Sequence, residues 1–534
     1  MNQHSLGIML DCSRNSVMKP QKVKEFASLI AGMGYNMLQL YTEDTYEIEG
    51  EPFFGYMRGR YTKEELKDID AHCVSLGIEL IPCIQTLAHL ERIVRWPAYS
   101  SLFDIEDILM VDDQRVYDLI DKMFSAVKEC FTTRRVHIGM DEAHNLGLGK
   151  YLEKYGLRDR SQLMAKHLTK VNEIAQKHGL KPMMWSDMFI RLNNNGKYYG
   201  EDLLVPQETV DAVPAGVELV YWDYYSKEKT HYDNMFRTHE KFVNNPIAFA
   251  GGIWTWSGYV PNLRYSLDIV EASMRSVQEH PVDTVFFTMW GDNGSDCSKF
   301  AALSGVFAAA EMARGNFDRA DIARKFEAYT GYRFDEFMDL ELPNLPEEVQ
   351  SHYNNPNKYL LFNDPFLGLF DFTVSDALPA LYGDYAKRLG AAINGRRFDY
   401  LFRFMTKLLE VLSVKCDLGI RLRKAYDTGD HQALRYFAEE EFPMLIGLVE
   451  ELYEDYRIQW LTDNKPFGLE VQENRFGGLL LRLRSCKDRL EDLLAGRIMR
   501  IEELEAKQEV FLEDSVGKAI NFNNFGMTYT VGGH

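Results

Sequence analysis

The sequence predicts an α/β fold in which a (β/α)8 TIM barrel is followed by a mostly α-helical C-terminal domain. Eight apolar runs alternate with helical patterns within roughly the first 310 residues, which suits such a barrel. The runs are continuously apolar, as expected of parallel strands covered on both faces. No glycine occurs in LDCSRNS, where the first run ends, and this disfavours an open doubly wound sheet with a phosphate-binding loop.

The first half of the predicted barrel contains four strands and the helices between them. Val23, Phe26 and Ile30 recur at helical spacing, and Gly34 stands where a helix C-terminal cap belongs. Gly77 ends the second helical pattern in the same way. The predicted strands are LGIMLDCSR, NMLQLYTED, IELIPCIQTLAH and RRVHIGMDEAH. The predicted helices are KPQKVKEFASLIAGMG, TKEELKDIDAHCVSLG and DDQRVYDLIDKMFSAVKECF.

The second half continues the alternation and then changes character. Its predicted strands are LKPMMWSDMF, VELVYWDYYS, NPIAFAGGIWTWSG and VDTVFFTMWGDNG. Its predicted helices are SQLMAKHLTKVNEIAQKHG, YDNMFRTHEKFV, LRYSLDIVEASMRSVQEH and SKFAALSGVFAAAEMARG. From Asn316 onward the segments are helix-like and no strands alternate with them. The predicted domains are therefore a catalytic barrel over 1–315 and a helical domain over 316–534.

Composition excludes several classes of protein. The net charge of −20 disfavours binding to nucleic acid or to a membrane surface. No apolar run is long enough to span a membrane, and the N-terminus lacks the pattern of a signal peptide. The seven cysteines form no C-x-x-C pair, so we interpret them as reduced thiols and expect a cytoplasmic location.

Polar and aromatic side chains gather where the predicted strands end, which is where a barrel of this kind carries its active site. Five of the seven tryptophans lie at the ends of strands five to eight. Aromatic faces stack on sugars while polar neighbours bind the hydroxyls, so a sugar site is favoured over a plug of core residues. The tryptophans at these ends are Trp185, Trp222, Trp254, Trp256 and Trp290.

The adjacent acids Asp141 and Glu142 follow the fourth strand. Neighbouring side chains on a strand point to opposite faces, so both can reach one site only at or just beyond the strand end. A solvated loop or a helix cap is the structural alternative. A helicase reading of DEAH fails because no Gly-Lys-Ser/Thr loop is present. A metal site from His137, Asp141 and His144 is a weaker alternative, and we expect neither metal nor cofactor.

These residues resemble glycoside hydrolase family 20, the β-N-acetylhexosaminidases. HIGMDE, His137 to Glu142, matches the family's His-x-Gly-x-Asp-Glu run on strand four. Arg14 matches its first-strand arginine, and His89 matches the histidine of its third strand, although the Pro-Gly before it is missing. Trp290 and Asp292 stand where the family has Trp-x-Glu. The resemblance covers roughly residues 5 to 310, without the α/β domain that often precedes the barrel.

The resemblance implies an exo-acting, retaining β-N-acetylhexosaminidase that removes terminal β-GlcNAc or β-GalNAc through an oxazolinium intermediate, as substrate-assisted glycosidases do. It makes Glu142 the general acid and base and Asp141 the residue that orients the acetamide. The seventh strand has WTW where the family has Tyr-x-Asp, so Tyr224 or Tyr225 must supply the acetamide tyrosine. The implied substrate-binding residues are Arg14, His89, His137, Trp185, Trp222, Tyr224, Tyr225, Trp254, Trp256, Trp290 and Asp292.

Other functions stay open at this point. A different sugar hydrolase on the same barrel would use Asp187, Asp223 or Asp292 as a nucleophile. A catalytically silent sugar-binding protein usually lacks the acid that Glu142 provides, and a metal hydrolase would lose activity to a chelator. The expected partners are N-acetylhexosamine-terminated oligosaccharides, and not nucleic acid or membrane. The helical domain could form a homodimer, cover the barrel mouth or only stabilise it.

Overall fold

The computed structural model describes residues 5–344 and 354–520, and its first part contains a closed barrel of eight parallel strands. Strands that are consecutive along the chain are neighbours in the barrel, and β8 closes it by pairing with β1. The predicted barrel is confirmed. The strands are β1 (Ser5–Asp11), β2 (Met37–Glu43), β3 (Glu79–Ile84), β4 (Arg135–His137), β5 (Lys181–Trp185), β6 (Glu218–Trp222), β7 (Ile247–Gly252) and β8 (Thr284–Met289).

Helices separate the strands, as the periodic apolar positions predicted. Thr62 begins the second helix with a capping box, in which its hydroxyl accepts the Glu65 N–H and the Glu65 carboxylate accepts the Thr62 N–H. Gly34 and Gly77 follow helix ends with φ of 88° and 72°, the conformation that favours glycine. The longer helices are Pro20–Gly32, Lys63–Ser75, Gln114–Cys130, Arg160–Lys177, Lys229–His239, Leu263–Val277 and Leu303–Ala313. Short helices span Glu91–Val94, Lys150–Tyr155, Asp187–Arg191 and Gln207–Ala212.

The fourth strand is shorter than the sequence predicted. It ends at His137, because Gly139 and Met140 adopt φ of 69° and 72° and turn the chain out of the sheet. Asp141 and Glu142 therefore lie beyond the pleat, where alternation no longer sends neighbours to opposite faces. A small hairpin, Phe103–Ile105 with Ile108–Leu109, lies in the connection between β3 and β4.

A polar plug closes the barrel at the end where the strands begin. Arg135, the first residue of β4, lies 2.9 Å from the Glu218 carboxylate and 3.3 Å from that of Glu79. It also donates to the Thr284 hydroxyl at 3.1 Å. These partners begin β6, β3 and β8, so ion pairs occupy this end and leave the opposite end for function.

The chain forms two compact units. Of the described residues, the first unit comprises 5–253, 266–290 and 305–322, and the second comprises 254–265, 291–304, 323–344 and 354–520. The predicted boundary after residue 315 divides the chain linearly, whereas two short segments from the ends of β7 and β8 belong to the second unit. Among the described residues, no helix combines the length and apolarity needed to cross a membrane.

Beyond residue 316 the described chain is largely helical and contains no β-strand, as predicted. Its core includes a buried ion pair between Lys358 and Asp296, and Arg475 lies 2.9 Å from the same carboxylate. The longer helices here are Arg319–Thr330, Leu378–Gly390, Asp399–Lys415, Leu418–Asp427, Phe442–Asp463 and Leu469–Leu494. The shorter ones are Phe334–Met338, Pro356–Phe362, His431–Tyr436 and Glu502–Glu505.

Candidate active site

Asp141 is the centre of a polar network at the carboxyl ends of the strands. The Gln85 amide donates to its Oδ1 at 2.9 Å, and His89 Nε2 lies 3.1 Å from its Oδ2. Burial raises the pKa of Asp141, but the His89 charge and the hydrogen bonds outweigh it and hold the pKa at about 2. Burial likewise opposes protonation of His89, yet the Asp141 charge raises its pKa to about 10. The pair is therefore ionic throughout the neutral range.

Gln85, the residue directly after β3, clamps the loop that carries the acids. Its amide nitrogen donates to the Tyr41 hydroxyl at 3.0 Å as well as to Asp141, and its Oε1 accepts the Met140 N–H at 3.2 Å. A Cβ at Gly139 would lie 1.9 Å from Gln85 Oε1. The glycine of the HIGMDE run is thus required both for its positive φ and for the space that this amide occupies.

Glu142 is the accessible acid of the pair, with a side chain that is 39% exposed. Its Oε2 lies 3.6 Å from His89 Nε2, and its Oε1 lies 3.9 Å from Arg191 Nη2. Its backbone N–H donates to Asp187 Oδ2 at 3.2 Å, and its φ is 51°, a left-handed conformation for a non-glycine residue. The carboxyl group is therefore flanked by two basic side chains and faces the mouth of the barrel.

Asp187 holds the backbone of Glu142 in place. Its side chain is fully buried and lies 3.0 Å from Arg191 Nε, one helical turn along the chain. Burial and the nearby Asp141 charge raise the pKa of Asp187 to about 7, against the opposing charge of Arg191. The Arg191 guanidinium also lies over the rings of Tyr198 and Trp222, at 5.3 and 5.8 Å from their centroids.

Arg14 lies at the mouth beside β2 and β8. It lies 3.3 Å from the Asp11 carboxylate and 3.5 Å from that of Glu43, and its guanidinium stacks 4.7 Å from the Trp290 ring centroid. Burial raises the pKa of Glu43 to about 7, although the Arg14 charge opposes the rise. The Tyr41 hydroxyl donates to Glu43 at 3.0 Å, which joins this cluster to the Gln85 clamp.

Trp185 and His137 form the floor of the site. Their rings lie 4.4 Å apart, and the Trp185 ring lies 6.0 Å from that of Trp290. His137 is fully buried, its Nδ1 accepts the Gly139 N–H at 3.1 Å, and burial lowers its pKa to about 3. Direct contact with a ligand was predicted for His137. His137 lies buried beside Trp185, which is itself only 1% exposed, and its contact with a ligand stays a prediction.

The tyrosine candidates after β6 lie in different environments. Tyr224 is buried, and its ring stacks on Trp222 with centroids 5.5 Å apart. Burial raises the pKa of the Tyr224 hydroxyl well above its ordinary value, and hydrogen bonds with Trp290 and Thr288 act against the rise. Tyr225 is 40% exposed. Tyr224 therefore brings its hydroxyl to the end of β8, within the aromatic wall.

Three predicted binding residues belong to the second unit: Trp254, Trp256 and Asp292. The rings of Trp254 and Trp256 stack with centroids 4.2 Å apart, and both residues lie beyond the end of β7 at Gly252. Their contact with substrate stays a prediction.

A cation could in principle be held by His89, Asp141 and Glu142, whose ligand atoms lie within 4.8 Å of one another. Metal binding requires a neutral imidazole, and the pKa of His89 near 10 keeps this ring protonated at neutral pH. The predicted alternative set used His137 and His144 instead, but His137 is fully buried and His144 is exposed. The donor set therefore fits a metal poorly.

The predicted substrate-binding set did not include Gln85, Glu43, Asp187 or Arg191, and Asp187 was considered only as an alternative nucleophile. The first three were visible as polar residues at strand ends, but their hydrogen-bond partners could not be inferred from the sequence. Arg191 had a weaker signal: it lies four residues after Asp187, the spacing of an ion pair on a helix.

Both parts of the chain match domains of known protein families. Residues 6–244 match the catalytic domain of glycosyl hydrolase family 20, and residues 335–522 match the glycoside hydrolase 20C C-terminal domain. Human hexosaminidase D is 26% identical over 223 residues, which cover 40% of this chain and 43% of that protein. A β-hexosaminidase of Akkermansia muciniphila is 24% identical over 251 residues, covering 40% and 48%.

The chain thus spans about half the length of these two relatives. A solved β-N-acetylhexosaminidase structure from Bacteroides fragilis superposes with a TM-score of 0.49 at 19% identity, over 63% of this chain and 72% of that one. The two matched domains together account for most of the sequence. The chain belongs to glycoside hydrolase family 20, with a family 20 catalytic domain followed by a C-terminal domain of the 20C type.

Proposed function

We propose that the protein is an exo-acting, retaining β-N-acetylhexosaminidase that removes terminal non-reducing β-GlcNAc or β-GalNAc from oligosaccharides. The proposal includes substrate assistance, in which the 2-acetamido oxygen attacks the anomeric carbon and forms an oxazolinium ion. The observation that carries it is the division of labour between two adjacent carboxyl groups. Asp141 is buried and held ionised by His89 and Gln85, whereas Glu142 is exposed at the mouth.

An ionised, immobile Asp141 suits the role of orienting the acetamide. Its carboxylate would accept the acetamide N–H and balance the positive charge that develops on the oxazolinium ring. The charge is already in place before reaction, because the His89 contact at 3.1 Å keeps the pKa of Asp141 low. The Tyr224 hydroxyl is the candidate that would hold the acetamide oxygen.

Glu142 suits the roles of general acid and base. In the first step its carboxyl proton passes to the leaving oxygen as the glycosidic C–O bond breaks and the acetamide oxygen bonds to the anomeric carbon. In the second step its carboxylate takes a proton from water, which attacks the same carbon and reopens the ring. Two displacements on one carbon retain its configuration.

The rest of the site would bind one terminal sugar. Trp185, Trp222 and Trp290 supply apolar faces, and Arg14 supplies donors for hydroxyl groups at the rim. Arg14 is itself fixed by Asp11 and Glu43, so its donors are ordered before a ligand arrives. These features support exo action on oligosaccharides that end in N-acetylhexosamine.

An ordinary protein nucleophile is less well supported. Asp187 and Asp223 were the candidates in the first unit, and neither side chain has any exposed surface. Asp187 bonds Arg191 and the Glu142 backbone, while Asp223 lies 2.6 Å from His231 and accepts a hydrogen bond from the Tyr221 hydroxyl. Both acids are therefore occupied as supports.

The decisive experiment compares aryl β-N-acetylglucosaminide, its N-acetylgalactosaminide and plain β-glucoside as substrates. We expect Glu142→Gln to lower kcat on the acetamido sugars by about 10³-fold, within the usual range for a lost general acid, while it still binds N-acetylglucosamine. Asp141→Asn should lose rate on acetamido sugars and bind a thiazoline inhibitor more weakly. Glu173→Gln, on an exposed helix, serves as the matched control.

The outcomes separate the alternatives. Equal cleavage of plain β-glucosides would rule out substrate assistance, and full activity of Glu142→Gln would remove the assigned acid. Loss of activity to a chelator would favour a metal hydrolase.

The seven cysteines form no disulfide bond, which is consistent with a reducing compartment. A cytoplasmic location therefore forms part of the proposal and is tested by cell fractionation.

A further inference from the structure

Three aromatic rings form an exposed cluster on the loops that follow β2 and β3. We define the aromatic shelf as Phe53, Tyr56 and Trp96. The Phe53 and Trp96 rings are stacked, with centroids 5.6 Å apart, and the Tyr56 ring meets each of them edge-on within 5.6 Å. Phe53 is 40% exposed and Tyr56 is 38% exposed.

The shelf lies on loops that begin at the strand ends carrying the candidate active site. A Cβ at Gly55 would lie 2.3 Å from the carbonyl oxygen of Asp44, so this loop folds back onto the end of β2. The Arg58 guanidinium bonds the buried Asp44 carboxylate at 3.0 Å and also the Ser13 carbonyl oxygen, which follows β1. Trp96 comes shortly after His89, beyond one short helix.

The two loops are locked together before any ligand binds. The Tyr99 hydroxyl donates to Glu51 Oε2 at 2.8 Å, and Lys122 Nζ lies 2.6 Å from Glu51 Oε1. Glu51 begins the segment that carries Phe53 and Tyr56, and Tyr99 lies three residues after Trp96. Rings that are ordered in advance lose little conformational entropy on binding, as a binding platform requires.

The size of the shelf points to a sugar and not to a protein. Three partly exposed aromatic side chains present roughly 250 Å² at most, given about 150–250 Å² for each fully exposed ring. A stable protein interface buries about 800 Å² on each partner. The exposed parts of Phe53 and Tyr56 offer apolar surface, and the Arg95 guanidinium lies 5.4 Å from the Trp96 ring centroid. Apolar surface with a nearby donor suits a pyranose ring, which has C–H faces and a rim of hydroxyl groups.

We infer that the aromatic shelf binds the sugar residues beyond the terminal one, so that the enzyme prefers oligosaccharides over disaccharides. This inference rests on the proposed function and adds a second binding region to the same site. Stacking on an aromatic ring needs no particular hydroxyl pattern. The shelf would therefore make the enzyme selective for oligosaccharide length more than for sugar identity. The chemical class of the ligand is a neutral or N-acetylated oligosaccharide.

The test compares kcat/KM for N,N′-diacetylchitobiose and for the corresponding tetrasaccharide. We expect the wild-type protein to favour the tetrasaccharide by about tenfold, within what one or two aromatic contacts supply. Trp96→Ala should bring this ratio close to one, and Tyr56→Ala should lower it partly. Trp96→Phe keeps a ring and should retain most of the preference, which separates stacking from misfolding.

Tyr436→Ala removes a comparably exposed aromatic residue in the second unit and should leave the ratio unchanged. A wild-type ratio near one, or a ratio that survives Trp96→Ala, would overturn the inference. So would a dimer detected by sedimentation that Trp96→Ala abolishes, since the rings would then serve self-association. Failure of the wild type to release N-acetylglucosamine from either substrate, together with no cleavage of the aryl β-N-acetylgalactosaminide, would instead overturn the proposed function.

Discussion

Individual residues of this site hold one another in place, and Gly139, which has no side chain, is the clearest case. Its φ of 69° is strained for other residues, and a side chain there would enter the space of the Gln85 amide. The Gln85 amide can rotate away, so the cost of a larger residue is not an unrelieved clash. The cost is the loss of the hydrogen bonds that position Asp141.

We therefore predict that Gly139→Ala lowers kcat by about 100-fold, the scale expected when catalytic groups shift by about 1 Å. Gly179→Ala is the matched control, because Gly179 has φ of 71° but nothing within 4 Å of the added carbon. Backbone strain should lower the thermal stability of both variants, and the lost Gln85 hydrogen bonds should lower that of Gly139→Ala further. Equal effects of the two substitutions on kcat would contradict the assigned role of Gln85.

The His89–Asp141 pair predicts a defined pH dependence of stability. The pKa of His89 is raised from 6.5 to about 10, so its contribution is complete below 6.5 and lost as pH rises through 10. The pKa of Asp141 is lowered from 3.8 to about 2, so its contribution is complete above 3.8 and lost as pH falls through 2. The pair stabilises the fold fully between these limits.

The difference in Tm between the wild type and His89→Gln should thus be largest between pH 4 and 6.5 and shrink towards pH 2 and pH 10. Thermal unfolding across this range measures it. His431→Gln, at an exposed helix position, should give a small difference that does not peak in this window. A flat profile for His89→Gln would show that the pair contributes little.

At the scale of elements, the hairpin between β3 and β4 is a scaffold for the acids. Asp107, at its turn, accepts the His89 backbone N–H at 2.6 Å, and His89 has a φ of 56°. Asp104, on its first strand, accepts the backbone N–H groups of Gly147 and Tyr151. The hairpin therefore holds residues on both sides of Asp141 and Glu142.

We predict that Asp107→Ala lowers kcat by about tenfold, because one charge-assisted hydrogen bond of about 1.5–3 kcal/mol is lost and His89 relaxes. Asp107→Asn keeps an oxygen acceptor in the same place and should retain most of the activity. Steady-state kinetics with the aryl substrate measure both variants. A larger loss for Asn than for Ala would assign the effect to charge instead of to the backbone contact.

Much at this scale could be predicted from the sequence. Periodicity and glycine caps identified all eight barrel strands, and their order placed Asp141 and Glu142 at the right end. The early end of β4 could not be predicted, because it depends on the contact of Gly139 with Gln85, far away in the chain. Alternation along a strand indicates which face of the sheet a side chain lies on, but not how deeply it is buried. The full burial of His137 therefore could not be predicted either.

At the scale of the whole molecule, the two compact units cannot be separated by one boundary along the chain, because each is built from several segments. The segments 254–265 and 291–304 follow β7 and β8 yet belong to the second unit. Long-range contacts decide this: Glu341 accepts the backbone N–H groups of Leu263 and Arg264, and Ser298 donates to Asp463 at 2.5 Å. Such pairings leave no local signature in composition or periodicity.

Both units bury their thiols, which predicts the chemical behaviour of the folded protein. All seven cysteines are buried thiols outside any disulfide bond, and burial raises the pKa of Cys73, Cys297 and Cys416 to about 12. We expect no thiol to react with a disulfide reagent in the native state and all seven to react in denaturant. Rapid reaction of a native thiol would show that one of these regions opens.

The Gln85 clamp has a consequence for how activity is gained during folding. It joins Tyr41 of β2 to the loop after β4, so it can form only when three neighbouring strands have docked in register. A chain in which these strands have not yet docked could hold its helices without an ordered Asp141. Enzymatic activity would then appear after the helical signal in refolding and would report the docking of these three strands.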